Sequence, residues 1–166
     1  MSQAVETIGN DIYDRQICYL NVAEFRTLPS KYDLPSVNFV LFLACDAAGL
    51  PVDEIYDWAY EIINNGLSYV CLWGEDCERV HDIIDEAIVM REIESGIELP
   101  LIMTTWHTND TLDEALWFAL YNTLDDDFPD SNVVLVANVG DGERDINLRK
   151  RLADLEELNA VVVSTA

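Results

Sequence analysis

Short apolar runs alternate along this chain with longer stretches in which apolar residues recur every three or four positions. Val37 to Ala44 is a nearly unbroken apolar run, bounded by Pro35-Ser36 and by Asp46. Such a run predicts a strand buried on both faces. In the stretch that follows, Val52, Ile55, Tyr56, Ala59, Ile62 and Ile63 fall at helical spacing. Pro51 suits the start of that helix and Gly66 its stop. The alternation continues with a strand at Ser68–Trp73 and a helix at Cys77–Glu94, whose stripe is Val80, Ile83, Ile84, Ala87 and Ile88 and which Gly96 ends. A third strand is predicted at Leu99–Thr105. Thr111 and Glu114 form a capping box for a helix reaching about Leu124, with Leu112, Ala115, Leu116, Ala119 and Leu120 inward. Asn132–Ala137 reads as a fourth core strand, Arg144–Leu158 as a last helix and Ala160–Ser164 as a last strand. Gln16–Val22 reads as a further strand at a sheet edge. Residues 1–15 are expected as a loose tail and Asp125–Ser131 as a flexible loop.

Strands alternating with helices of this length imply βαβ units. Right-handed crossovers then place helices on both faces of the sheet. The expected fold is α/β: a three-layer sandwich with a mostly parallel sheet of about five strands, flavodoxin-like or Rossmann-like. One domain is expected over residues 1–166, a length that allows a substantial core.

Composition narrows the partners. The chain carries 32 acidic and 9 basic residues, a formal charge of −23. So negative a surface repels phosphate backbones and anionic membrane surfaces, which argues against nucleic-acid and membrane partners. It favours a basic protein partner instead. Met1 to Asn10 has neither a basic segment nor an apolar one, so no secretory leader is expected there. No apolar run approaches the roughly 20 residues of a membrane span. Cys18, Cys45, Cys71 and Cys77 form no C-x-x-C pair and are expected as reduced, mostly buried thiols. A cytoplasmic location follows from these readings.

Ligands in open parallel sheets sit outside the carboxyl ends of the strands. Those ends are Cys45-Asp46-Ala47-Ala48-Gly49, Trp73-Gly74-Glu75-Asp76-Cys77, Thr104 to Asp110, and Asn138-Val139-Gly140-Asp141-Gly142. Aromatic, imidazole and carboxylate groups on one rim suit a binding cleft. Trp73, Cys77, Trp106 and His107 are expected to lie close together there. A thiol nucleophile is one chemistry: Cys77 at a helix start, with His81 one turn on and His107 on the next loop. Its position on the apolar arc of its helix equally fits a packed thiol. The carboxylates, cysteines and histidines lack the paired spacing of a zinc site, and no dedicated metal site or cofactor is expected. No glycine-rich phosphate loop and no G-x-S-x-G elbow occurs.

Two elements carry a resemblance. Trp73, Gly74 and Cys77 form W-G-x-x-C, and Met103, Thr104, Thr105, Trp106 and His107 form M-T-T-W-H. With Leu112, Glu114, Trp117, Phe118 and Ala119 in the following helix, the chain resembles an uncharacterised bacterial family of unknown function. The similarity runs from Cys18-Tyr19-Leu20 to about Ala137. It implies no substrate, but it singles out Trp73, Gly74, Cys77, Thr104, Thr105, Trp106 and His107, to which the rim adds Asp46, as ligand-binding candidates. The expected role is an accessory or interaction domain, inhibitor-like or immunity-like, without catalysis. The alternative is a small-molecule binder or enzyme using the Trp/His/Asp rim.

Overall fold

The computed structural model describes residues 5–165. Six strands form one sheet: β1 (Glu6–Asn10), β2 (Gln16–Val22), β3 (Asn38–Cys45), β4 (Leu67–Trp73), β5 (Met103–Trp106) and β6 (Ser131–Val139). Their order across the sheet is β1-β2-β6-β3-β4-β5. β1 runs antiparallel to β2, and every other neighbouring pair is parallel. Five α-helices accompany the sheet among the described residues: α1 (Val52–Asn64), α2 (Cys77–Ser95), α3 (Leu112–Tyr121), α4 (Gly142–Ala153) and α5 (Leu155–Ser164).

The two faces have separate cores. Ile55 and Ile62 of α1 and Ile83 and Ile84 of α2 pack with Leu41, Leu43 and Leu135 on one face. Ala115 and Leu116 of α3, Leu148 of α4 and Leu158 of α5 pack with Val40, Phe42 and Val136 on the other. Alternate residues of β3 and β6 thus feed opposite layers, which is why their sequences are apolar throughout. This is a three-layer α/β sandwich. The Thr111–Glu114 capping box forms as predicted, with both of its hydrogen bonds present. All four cysteines are buried as free thiols, and Cys45 and Cys71 face opposite layers.

The structure departs from expectation in five places. The sheet has six strands where about five were expected. Part of the expected tail, Glu6–Asn10, is strand β1; residues 1–4 of that tail lie outside the described residues. Most of β1 is exposed, so it lacks the apolar alternation that marks a strand. β2 is consequently flanked on both sides and is not an edge. The predicted last helix breaks at Asp154, whose side chain accepts from the Glu157 N–H and caps a second helix. Ala160–Ser164 belongs to that helix, α5, and not to a strand. The three consecutive valines there suit either state, and packing on α3, with Trp117 Nε1 donating to Asn159 Oδ1, selects the helix.

The topology sets the site. The connection after β3 leads to α1 on one face, and the connection after β6 leads to α4 on the other. β3 and β6 are neighbours, so a crevice opens between their carboxyl ends.

Candidate functional site

The crevice is a real cavity of about 690 Å³. Its walls are the carboxyl ends of β2, β6 and β3, a single 3₁₀ turn at Phe25–Thr27, and the first turn of α1. Phe25, Leu50 and Val139 supply apolar surface. Glu24, Asp46, Glu54 and Asp141 supply carboxylates, and Arg26 is the one base among the lining residues. That volume lies within the usual range for small-molecule sites. Gly140 at its mouth has φ +87°, a conformation glycine adopts without strain.

Arg144 in α4 holds the crevice floor together. Its side chain is 6 % exposed, yet it reaches both the end of β6 and the turn after β3. Nε donates to Asn138 Oδ1 at 2.6 Å, Nη2 to the Val139 carbonyl at 2.8 Å, and Nη1 to Asp46 Oδ2 at 3.1 Å. Trp73 lies over the guanidinium, 5.6 Å from ring centroid to Cζ. Asn138 is fully buried and also donates to Asn21 Oδ1 and to the Asp141 carbonyl. Asp141 caps α4 by accepting from the Arg144 N–H. Cys45, at the same edge, has its thiol pushed up to about 11 by burial, so it stays protonated at neutral pH.

Asp46 feels opposing influences. Partial burial raises its pKa, but the Glu75 N–H on Oδ1 and the Arg144 guanidinium on Oδ2 outweigh that, and the carboxyl sits below its ordinary value. A carboxyl lowered by folding stabilises the fold above its unfolded pKa of about 3.9. That contribution fades as pH falls through the lower folded value. Asp46→Asn is therefore expected to be less stable than the parent at pH 7, with a smaller gap at a pH well below the unfolded value of about 3.9. Urea titrations at both pH values check this. A gap that persists undiminished in acid would assign the loss to packing.

The other sequence candidates do not converge on one pocket. β5 ends at Trp106, so Thr104 to His107 alternate across the sheet. Thr104 and Trp106 face α2: the Thr104 hydroxyl donates to Asp85 Oδ1 at 2.7 Å, and the Trp106 indole packs 4.3 Å from the His81 ring. Thr105 and His107 face α3. His107 Nε2 meets the Thr105 hydroxyl at 3.0 Å, Nδ1 meets Asp110 Oδ2 at 2.7 Å, and the ring sits 4.9 Å from Phe118. His107 is buried with both nitrogens occupied. Trp73 joins this side, donating its indole N–H to the Asp110 carbonyl. The expected cluster of Trp73, Cys77, Trp106 and His107 is thus divided by the sheet. Cys77 opens α2 but is buried, its sulfur 3.9 Å from the Thr108 hydroxyl. His81 turns instead to Asp82 and Asp85. Gly74 adopts φ +126° against the Cys45 backbone.

Of the ligand-binding candidates Asp46 alone lines the crevice, joined there by Cys45, Val139, Gly140 and Asp141 of the predicted strand ends. Glu24, Phe25, Arg26 and Glu54 were missed. They follow β2 or open α1, and their place becomes evident only once β2 is known to pair with β6. Among the described residues, no helix is long and apolar enough to cross a membrane.

Residues 17–155 match the family model of the DUF7684 domain of unknown function, and the chain belongs to that family. The match extends past Ala137 through α4, so the crevice and Arg144 lie inside the family domain. Neither the curated proteins nor the solved structures contain a match to this chain.

Proposed function

We propose that this protein is a binding domain whose crevice between β3 and β6 takes a small cationic ligand, an amine or guanidine with an apolar body. One observation carries the reading: the crevice is lined by four carboxylates, of which the guanidinium groups beside it neutralise two and leave Glu54 and Asp141 uncompensated. Arg26 is bonded to Glu24, and Arg144 to Asp46. Carboxylates set in a cleft with low-dielectric walls concentrate cations. Phe25, Leu50 and Val139 offer contact to an alkyl or aryl body.

The strand order supports a ligand in this place. Read as β5, β4, β3, β6, β2, the parallel strands follow the 3-2-1-4-5 order of Rossmann-type sheets, with the fifth position filled from the N-terminal side of the chain. Ligands in such sheets lie between the first and fourth strands, here β3 and β6. A dinucleotide does not suit this site. The turn after β3 is Cys45-Asp46-Ala47-Ala48-Gly49, without the glycine spacing that admits a pyrophosphate, and the carboxylates repel one.

Thermal denaturation with agmatine and with spermidine, at physiological ionic strength, tests the proposal. Either amine at about a hundredfold excess over its Kd is expected to stabilise the protein by about 2.7 kcal/mol. Glu54→Gln with Asp141→Asn should weaken binding about tenfold or more, since a charge-assisted hydrogen bond contributes about 1.5–3 kcal/mol. Asn remains a good helix cap, so α4 keeps its start. Asp126→Asn with Glu156→Gln, remote exposed acids, should leave binding unchanged. Equal weakening by both pairs would mean diffuse attraction to a −23 surface, and would refute the site.

A further inference from the structure

Apolar side chains left in water concentrate in one place. Among the described residues, seven of fourteen large hydrophobic residues with exposed side chains fall within residues 89–106. They lie along the second half of α2, on the segment that follows it, and on β5. Ile93 is 66 % exposed and Leu101 61 %. Val89, Ile93 and Ile97 line a groove of about 660 Å³, in which Glu92 and Glu98 are the charged residues. Scattered apolar residues on a surface mean little, but a contiguous set rimmed by charge marks an interaction surface.

From the residues of this groove the chain runs on into β5, which is an edge strand. The backbone of His107 donates to the Leu72 carbonyl of β4 at 2.9 Å. Successive residues of a strand turn their N–H and C=O to opposite sides. Thr105 and His107 therefore face β4, and Thr104 and Trp106 turn their backbone groups to the open side. Protein edges are commonly blunted by lysine, proline or a bulge. β5 reads Met-Thr-Thr-Trp and has only its shortness. Met103 and Trp106 stand exposed on its two faces.

Charge decides what fits. A second copy of this chain would bring Glu92, Glu98 and Asp85 against their own like, on two bodies of −23 each. Edge pairing with a basic segment reverses that sign. We propose that the β5 edge and the adjoining α2 groove dock an extended segment of a basic partner protein, which adds as a strand beside β5. Its backbone pairs with Thr104 and Trp106. Its apolar side chains cover Met103, Trp106 and the groove, and its lysines or arginines reach Glu92 and Glu98. Strand addition of this kind draws affinity from main-chain hydrogen bonds and specificity from alternate side chains. The inference is independent of the crevice, which lies across β3 and β4 from this edge.

The probe is a peptide of alternating lysine and valine, Lys-Val-Lys-Val-Lys-Val, followed by anisotropy and by amide hydrogen exchange on the intact protein. The expected result is binding that protects the Thr104 and Trp106 amides at least tenfold. A peptide of the same composition in block order, Lys-Lys-Lys-Val-Val-Val, should bind at least tenfold more weakly, as should one with proline at the central valine. Met103→Lys, a charged residue at an exposed edge position, should abolish the protection while the thermal transition is kept. Glu92→Gln with Glu98→Gln should weaken binding and flatten its salt dependence. Failure of the alternating peptide to bind overturns the proposal. So does equal binding of the two orders, or binding without protection of those two amides. Self-association that Met103→Lys abolishes, without peptide binding, would assign the edge to a second copy and also overturn it.

Discussion

Arg144→Met is expected to destabilise the protein by about 3–5 kcal/mol, although methionine fills much of the same space. The arginine is buried, and its partners belong to two segments, the end of β6 and the turn after β3, that diverge at the crevice. Removing it leaves Asn138 Oδ1 and the Val139 carbonyl without donors. An unsatisfied buried acceptor costs about 1–3 kcal/mol. The half-exposed Asp46 adds less, because water can solvate it. For a chain of this length the loss lowers Tm by roughly 6–20 °C. Arg144→Lys should recover less than half, since an ammonium cannot serve three separate acceptors with the geometry of a planar fork. Calorimetry of the three proteins checks this. A change below about 1 kcal/mol for Arg144→Met would mean that water or a shifted Asn138 replaces the guanidinium.

The core of this fold was legible because the parallel strands are buried on both faces. Nothing but an apolar run satisfies β3, β4 or the middle of β6, so their positions could be read within a residue or two. The signal fades where burial does. β5 is only partly covered and is shorter than its apolar sequence suggests, because Leu101 points outward at the open edge. β1 has almost no buried side chain to announce it. At the other end, Val161, Val162 and Val163 imply a strand by their branching. The Asp154 cap and the α3 surface make them helical. Tertiary packing overrides propensity where propensity is a matter of tenths of a kcal/mol per residue.

The site was legible in location and not in membership. The carboxyl edge of the sheet follows from a βα alternation alone, and Asp46 and Asp141 were on it. Which strand ends meet depends on strand order, and order is set by crossovers that the sequence does not spell out. Taking β2 for an edge strand hid the contribution of Ala23 to Arg26. The strand was expected to end at Thr105 with Trp106 and His107 on a rim loop, yet β5 continues through Trp106. The period of two then sends Trp106 and His107 to opposite layers. Motif residues adjacent in sequence are therefore the least able to share a pocket here.

Gly74→Ala separates a residue that binds from one that lets two strands meet. The glycine follows β4, where the chain turns toward α2 at φ +126°. A Cβ built there falls 2.1 Å from the Cys45 carbonyl oxygen and 2.7 Å from its carbon. Both are backbone atoms of β3, so no rotamer change relieves the clash. The ends of β3 and β4 must separate, which strains the bonds between their loops: Ala47 N–H to the Glu75 carbonyl at 2.8 Å, and Glu75 N–H to Asp46 Oδ1 at 2.9 Å. Backbone strain at such a φ alone costs about 1–3 kcal/mol, and the expected total is about 4 kcal/mol or more. Gly142→Ala provides the contrast. That glycine begins α4, has nothing within 4 Å of a built Cβ, and carries no such φ. Alanine there should be neutral or stabilising by up to about 1 kcal/mol. Urea unfolding of both variants measures the difference. If Gly74→Ala falls within about 1 kcal/mol of the parent, the close approach of β3 and β4 is not what requires glycine. The W-G-x-x-C element would then be free to be read as a ligand contact.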